Sequence, residues 1–257
     1  MLVMGFMTKM TNYKTQAINL KSYNLGEADK IIVMYSRDHG IIRCVAKGIK
    51  KPASKLGGRM MMLASNKLLV AKGKKLDVVC QAELIDSFKE LRQNVAKLTY
   101  AIYCAELINT FGLENDTNSS KIYDLFFDSL KNISLSSNTE EALWATIRFK
   151  LVFMNLLGYA VELNHCVKCN ELIQKDGFTF SAEAGGIVCR NCSSSVKEAV
   201  EIDHDILKVF KDAANFDFPE DLIDQSSLDS CFRVLKEYVA LRSHKKLKTP
   251  ELIECLC

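Results

Sequence analysis

From Lys30 to Ser36 the chain is apolar and rich in β-branched residues, and Ile41 to Lys47 repeats that character after Arg37-Asp38-His39-Gly40. Two apolar runs joined by a short glycine-containing loop predict a β-hairpin. A short mixed segment, Tyr13 to Leu20, precedes the pair. Two further strand candidates follow, Lys67 to Ala71 and Leu76 to Ile85, with the tight basic turn Lys72-Gly73-Lys74-Lys75 between them. Residues 48–59 carry Pro52, Gly57 and Gly58 among basic side chains and read as an exposed loop. Five short strands within about eighty residues predict a small antiparallel barrel.

Beyond residue 88 the period changes. Leu91, Val95, Leu98, Ile102, Ala105 and Ile108 recur at helical spacing. Further helices are predicted over 121–133 and 140–157, the latter capped by Thr139 and ended by Gly158 in a left-handed conformation. Trp144, Phe149, Phe153 and Leu157 form a stripe of core rather than a ligand pocket. Two more helices are expected over 203–215 and 226–243, the second opened by Ser226 with Asp229 reaching back. The expected fold class is α+β multidomain: a barrel domain over 1–88, residues 1–12 being a loose extension, then an α-helical domain over 89–257. The apolar start, Met1 to Met7, has no basic residue before it and no small-residue cleavage site after it, so it is a poor signal peptide.

One segment fits neither period. Cys166-Val167-Lys168-Cys169 and Cys189-Arg190-Asn191-Cys192 are two Cys-x-x-Cys pairs separated by nineteen residues. That spacing belongs to a zinc site. Cys166, Cys169, Cys189 and Cys192 supply four thiolates, which close a tetrahedron and leave no open position for water, so the expected cofactor is one structural zinc ion. His165 stands beside the first pair, but four sulfurs already complete the shell. Because predicted helix flanks the segment on both sides, residues 164–195 are read as a zinc-binding module inserted in the helical domain. The other cysteines, Cys44, Cys80, Cys104, Cys231, Cys255 and Cys257, are expected to be small buried hydrophobes in a reducing cytosol.

Charge changes the picture more than composition does. The net charge is only +3, yet Tyr13 to Glu90 holds fifteen Lys and Arg against seven Asp and Glu. Arg43, Lys47, Lys50, Lys51, Lys55, Arg59, Lys67, Lys72, Lys74 and Lys75 follow one another with no acidic residue between. A solvated surface normally mixes both signs. A run of one sign maintains a positive field, for which a polyanion is the natural partner. Nucleic acid is therefore the expected ligand. The interval contains no Phe, Tyr or Trp, so phosphate contacts are expected to dominate and base identity to be barely read.

Several chemistries are missing. There is no phosphate-binding Gly-x-x-x-x-Gly-Lys-Ser/Thr loop, no His-Glu-x-x-His zinc-protease helix and no His-x-Glu ahead of the second cysteine pair. No apolar run approaches the roughly 20 residues that span a bilayer.

Local motifs complete the reading. Leu25-Gly26-Glu27-Ala28-Asp29-Lys30, Val45-Ala46-Lys47-Gly48, the basic loop from Lys51-Pro52 to Gly58-Arg59, and Gln81-Ala82-Glu83-Leu84 resemble the bacterial recombination mediator family RecO. Leu156-Leu157-Gly158-Tyr159 leading to Cys166, and Ala184-Gly185-Gly186 before Cys189, resemble the approach to that family's zinc module. Met60-Met61-Met62-Leu63 departs from it, where relatives often carry an acidic residue and a Pro-Phe pair. The resemblance covers Tyr13 to the C-terminus. It implies an OB-fold barrel and a cytoplasmic, nucleoid-associated, non-enzymatic protein of DNA repair and recombination. Such a protein binds single- and double-stranded DNA and anneals complementary strands. It acts with RecR and helps RecA displace single-strand-binding protein. The sites so implied are DNA-binding Arg43, Lys47, Lys50, Lys51, Lys55, Arg59, Lys72, Lys74 and Lys75, and the four zinc ligands.

Other readings are compatible with the residues. An RNA-binding OB-fold/zinc protein would show the same charge, and a structural adaptor would use the acidic helical part for docking. A nuclease would need clustered carboxylates. Glu83 and Asp86, three residues apart on a strand, are expected to face opposite sides.

Overall fold

The computed structural model describes residues 11–173, 177–215 and 225–255. Residues 1–10 of the expected extension, 174–176 of the cysteine segment and Cys257 lie outside the described residues.

Five strands close a barrel: β1 (Asn12–Leu25), β2 (Asp29–Ser36), β3 (Gly40–Ala46), β4 (Ser65–Ala71) and β5 (Asp77–Asp86), in the order β1-β2-β3-β5-β4. All neighbours are antiparallel except β3 and β5, which pair in parallel at Cys44–Asp77 and Val45–Val78. Alternate residues point inward, so Ile32, Met34, Ile42, Cys44, Leu68 and Val70 meet in one core. The strands match the expected ones except at β1, which continues five residues past Leu20. Lys21-Ser22-Tyr23-Asn24-Leu25 has no apolar alternation; pairing with Asp29–Val33 holds it extended, after a bulge between Asn19 and Lys21.

A second bulge corrects the expectation for Glu83 and Asp86. Glu83 lies opposite Lys67 and Asp86 opposite Ser65, because the register shifts between Ser65 and Asn66. The extra residue restores Asp86 to the face that Glu83 occupies.

Residues 47–64 cross from β3 to β4 without regular structure. Ile49 and Met60 nevertheless reach the barrel core. Two buried asparagines tie the loop down. Asn19 Nδ2 donates to the carbonyls of Arg59 (3.2 Å) and Met61 (2.9 Å), and Asn66 Nδ2 donates to Arg59 (2.7 Å). Buried carbonyls need such donors. Within Met60–Leu63, Met60 and Leu63 are buried and Met61 and Met62 exposed, Leu63 taking a left-handed φ of 69°.

The described residues up to Ser87 form one compact unit together with Gly112–Asp124. That later segment seals the β2–β3 hairpin. Ile41 N donates to Leu113 O (2.9 Å) and Asn115 N to His39 O (2.7 Å). Tyr123 shares a 2.9 Å hydrogen bond with Ser65, and Arg37 holds Asp124 through two hydrogen bonds. Gly40 is required here: its φ is 63°, and a Cβ would stand 2.2 Å from Leu113 O.

The second unit comprises Phe88–Phe111 and the described residues from Leu125 onward. A 3₁₀ turn (Lys89–Gln93) precedes α1 (Val95–Phe111), α2 (Ser119–Leu135) and α3 (Thr139–Leu156). The cap of α3 is Asn138, one residue earlier than expected. Its side chain accepts from Glu141 N (2.8 Å), while Glu141 accepts from Ser137 N (2.6 Å). Asn therefore begins the helix, and the reciprocal carboxylate belongs to Glu141. Gly158 does close the helix, with φ at 83°. After α3 come β6 (Phe178–Ser181), β7 (Gly186–Cys189), the single-turn α4 (Arg190–Ser193), β8 (Val200–Glu201), α5 (His204–Asn215), α6 (Gln225–Ala240) and α7 (Thr249–Glu254). Gln225, where the described residues resume, is already helical, so Ser226 lies inside this helix rather than capping it; the Gln225 side chain donates to Asp229 (2.8 Å).

Helix α3 is apolar nearly all round, as befits a helix enclosed by others. Trp144, Phe149 and Phe153 are core, Phe149 stacking on Phe153 at 5.4 Å. Lys150 is the exception on this helix. It is fully buried; its Nζ lies 3.9 Å from the Phe232 ring centroid, 5.1 Å from that of Tyr103 and 3.4 Å from the Phe232 carbonyl.

Candidate nucleic-acid surface and metal site

The hairpin turn after β1 anchors the basic loop. Asp29 Oδ1 accepts from Gly48 N (2.7 Å), Ala28 O accepts from Lys50 N (3.0 Å), and Gly26 O accepts from Lys50 Nζ (3.3 Å). Gly26, with φ at 61°, turns the chain. The Leu-Gly-Glu-Ala-Asp-Lys motif therefore presents Lys47, Lys50 and Lys51, all exposed, just beyond the end of β3.

The remaining basic residues do not join that group. Lys55, Arg59 and Lys67 line a groove of about 880 Å³ on the outside of β1, β4 and β5, with Lys14, Gln16 and Arg37. Asp38 and Glu83 are its acidic members. Arg37 is engaged by Asp124, and Arg59 donates to Ala82 O (3.0 Å). No ion pair among the described residues holds Lys14, Lys55 or Lys67, so three free ammonium groups dominate the groove. Arg43, Lys72 and Lys75 line a smaller hollow of about 450 Å³ with Asp77 and Glu114. There Arg43 pairs with Glu114, Tyr13 donates to Asp77 (2.7 Å), and Lys72 lies 5.9 Å from the Tyr13 ring. Lys74 is exposed in the turn before β5. An interval that is continuous in sequence thus divides among three places on the barrel, because successive strands and loops leave it on different sides. Lys14 and Arg37 lie outside the interval. Their signal was strand pairing: Lys14 lies opposite Leu69, in the strand beside β4.

In the second unit the two cysteine pairs converge. The Sγ atoms of Cys166, Cys169, Cys189 and Cys192 all lie within 4.8 Å of one another. Each pair is placed by its own turn. Asn170 N returns to Cys166 O (2.8 Å) with Asn170 in a left-handed φ of 61°. The second pair spans the passage from β7 into α4. Backbone bonds lock the halves together: Val167 N donates to Ile187 O (2.9 Å) and Glu162 N to Gly185 O (3.1 Å). Gly186 permits that approach, since a Cβ there would stand 2.4 Å from Glu162 O. His165 instead faces Glu162, its Nδ1 3.7 Å from Oε1. Among the described residues this is the only group of three or more metal-ligating side chains, so Glu83 and Asp86 belong to none.

The donor set suits a metal ion. A tetrahedral ion with sulfur at about 2.3 Å would space its ligands about 3.8 Å apart, and Cys169 and Cys189 are 3.8 Å apart. Burial opposes ionisation of Cys166, but the backbone N–H groups of Cys169, Cys189 and Lys168 outweigh it and bring the thiol down to about 6. Cys192 goes the other way, pushed up to about 12 chiefly by its hydrogen bond with Cys189. Four thiols this close do not ionise together without a cation among them. Of the remaining cysteines, Cys44, Cys104 and Cys231 are buried as expected, whereas Cys80 and Cys255 are exposed. Cys80 escapes the core because it follows Val79 on a strand whose next face is the groove wall.

The module rests on the last helices. Phe180 of β6 is buried against Phe210 (5.9 Å) and Tyr238 (6.2 Å), and Arg242 donates to Ala182 O (2.9 Å) across the Tyr238 ring. No described helix is long and apolar enough to cross a membrane.

A closed OB-type barrel with unbalanced positive charge, continued into a helical unit that carries four thiols able to hold a metal ion, defines a class of basic barrel proteins with a cysteine-cluster module. Comparison with known families narrows this. Residues 10–88 match the family described as recombination protein O N terminal, and residues 92–251 match recombination protein O C terminal. The chain belongs to the RecO family. A DNA repair protein RecO of Pelotomaculum thermopropionicum is 32% identical over 93% of each chain. Another of that name, from Acetivibrio thermocellus, is 30% identical over 96% of this chain and 100% of its own.

Proposed function

We propose that this chain is a DNA repair and recombination mediator. It binds single- and double-stranded DNA through its barrel, mainly at phosphates. It anneals complementary strands and, with RecR, helps RecA load onto DNA coated with single-strand-binding protein. It works in the cytoplasm and catalyses no reaction of its own. Family membership supports repair and recombination. The observation that carries DNA binding is the interval Arg43–Lys75, with ten basic residues and no acidic one, displayed on the barrel surface. The proposed contacts are Lys47, Lys50 and Lys51 beside the hairpin turn, and Lys55, Arg59 and Lys67 in the groove with Lys14. Arg43, Lys72, Lys74 and Lys75 extend them, Arg43 being partly neutralised by Glu114. The metal proposed for Cys166, Cys169, Cys189 and Cys192 is zinc. Four sulfur ligands suit zinc, and a full shell gives it a structural role.

Phosphate contacts release counterions, so affinity must fall with salt. Six contacts give a slope of log affinity on log salt of about −5 on duplex and about −4 on single strands. Replacing Lys50, Lys51 and Lys55 together by Glu should flatten the duplex slope by about 3 and weaken all sequences alike. Fluorescence anisotropy over a salt series reads both effects. A wild-type slope near zero, or a change confined to some sequences, would contradict phosphate-dominated binding. The mediator role is tested by annealing of strands coated with single-strand-binding protein, with and without RecR; no annealing in either condition would end that reading.

A further inference from the structure

The outer face of the β1–β2–β3 sheet carries a row that the basic interval does not include. Tyr23 lies opposite Ile31, Ile31 opposite Val45, and Val45 opposite Val78. Directly paired residues project from the same face of a sheet. The intervening positions Ile32 and Cys44 belong to the barrel core, so Tyr23, Ile31, Val45 and Val78 face outward. Ile31, Val45 and Val78 are half-buried, while Tyr23 is 51% exposed. Part of this sheet is covered by its own unit: Ile41 meets Leu113, and the Tyr35 hydroxyl reaches Asp116. Among the described residues the Tyr23 end has no such cover.

Its charged surroundings select the occupant. Lys21 holds its ammonium 5.4 Å from the centroid of the Tyr23 ring. Lys47, Lys50 and Lys51 emerge beyond β3, at the hairpin end of the same sheet. Of the two carboxylates in the hairpin turn, Asp29 is engaged by Gly48 N and Glu27 is exposed. A flat aromatic ring over an aliphatic floor, with cations on both sides along the strand, suits an unpaired base whose flanking phosphates meet lysines. Bases stack on such rings whatever their identity, because every base has a π-face.

We propose that Tyr23 is a stacking platform for one base of single-stranded DNA. This rests on the DNA-binding reading above and adds to it a preference for unpaired strands. The phosphate contacts set the salt dependence; Tyr23 contributes a separate, salt-independent share.

The experiment compares wild type, Tyr23→Ala and Tyr23→Phe by anisotropy on oligo(dT), oligo(rU) and a matched duplex over a salt series. Thermal unfolding confirms that each variant is folded. Tyr23→Ala should weaken oligo(dT) binding about 5- to 150-fold. It should leave duplex binding within about twofold and keep the wild-type salt slope on oligo(dT). Tyr23→Phe, which retains the ring, should bind oligo(dT) like wild type. Wild-type affinity for oligo(dT) in the alanine variant would overturn the platform and leave the phosphate reading standing. Equal loss on duplex and single strand, or a wild-type preference for oligo(rU), would overturn it too. If wild type bound neither oligo(dT) nor duplex, the DNA-binding reading itself would fall and take this inference with it.

Discussion

Stripping the metal from the four thiols should unfold the cysteine module while β1–β5 keep their amide protection. The module has little else to hold it. Two of its strands have four residues and the third has two. Its apolar support is Phe178, Phe180, Ile187 and Val188. Ordering a residue's backbone costs about 1–2 kcal/mol, more than so small a core returns over some thirty residues. Structural zinc in comparable peptides supplies about 10–16 kcal/mol at neutral pH. The contacts of Phe180 with Phe210 and Tyr238 keep one edge of the module docked, so the part that loosens should centre on the two cysteine turns. Hydrogen exchange followed by mass spectrometry, before and after chelation and in Cys169→Ser, locates the change. Unaltered exchange over 163–195 after verified metal loss would mean that the protein's own packing suffices.

Lys150→Met should make the protein more stable at pH 7, by as much as about 5 kcal/mol. Burial in the α1–α3–α6 core brings the Lys150 ammonium from 10.5 down to about 7. The rings of Tyr103 and Phe232 and one carbonyl recover only part of the lost hydration. The unfolded chain keeps its proton up to about pH 10.5. Between pH 7 and 10.5 the unfolded state therefore binds one more proton than the folded state, and Lys150 makes stability rise with pH. Cys104 acts oppositely above pH 9, since burial holds its folded thiol above the normal range. The window from pH 7 to 9 is where the lysine acts alone among these two. There the wild-type profile should climb more steeply than that of Lys150→Met by about 1.4 kcal/mol per pH unit, on top of the rise that the lowered Cys166 thiol gives both. Urea denaturation at three pH values measures it; parallel profiles would show that Lys150 stays charged in the fold.

Legibility in the sequence followed the reach of the interactions. The hairpin, β4, β5 and the long helices α1, α2, α3, α5 and α6 were visible because their residues repeat with the local period of the element that buries them, whereas the short α4 and α7 were not. The convergence of the four cysteines was visible because the geometry of a metal-binding turn is written into each short pair. The far end of β1 was not, since Lys21–Leu25 owes its extension to β2 rather than to its own pattern. Asp86 was misplaced because a bulge changes which face a strand residue takes and leaves little trace in composition. Charge along the chain foretold a positive barrel, but not its division into three sites. Lys14 and Arg37 joined the groove through strand pairing at a distance. Cys80 looked like core from its apolar neighbours, yet its parity on β5 turned it outward.

The segment Gly112–Asp124 sets an order of events at the ribosome. All five strands are complete once Asp86 has been made, but Leu113, Tyr123 and Asp124, which meet Ile41, Ser65 and Arg37, come only after another twenty-five residues, 87–111. Asp124, the last of them, comes thirty-eight residues after Asp86, and at about 5–20 residues per second that is a wait of roughly 2 to 8 s. During it a nascent barrel stands with the side of its β2–β3 hairpin bare. A chain released at residue 88 would carry that bare side permanently. The first strands to emerge are thus finished by a stretch of chain made well after them.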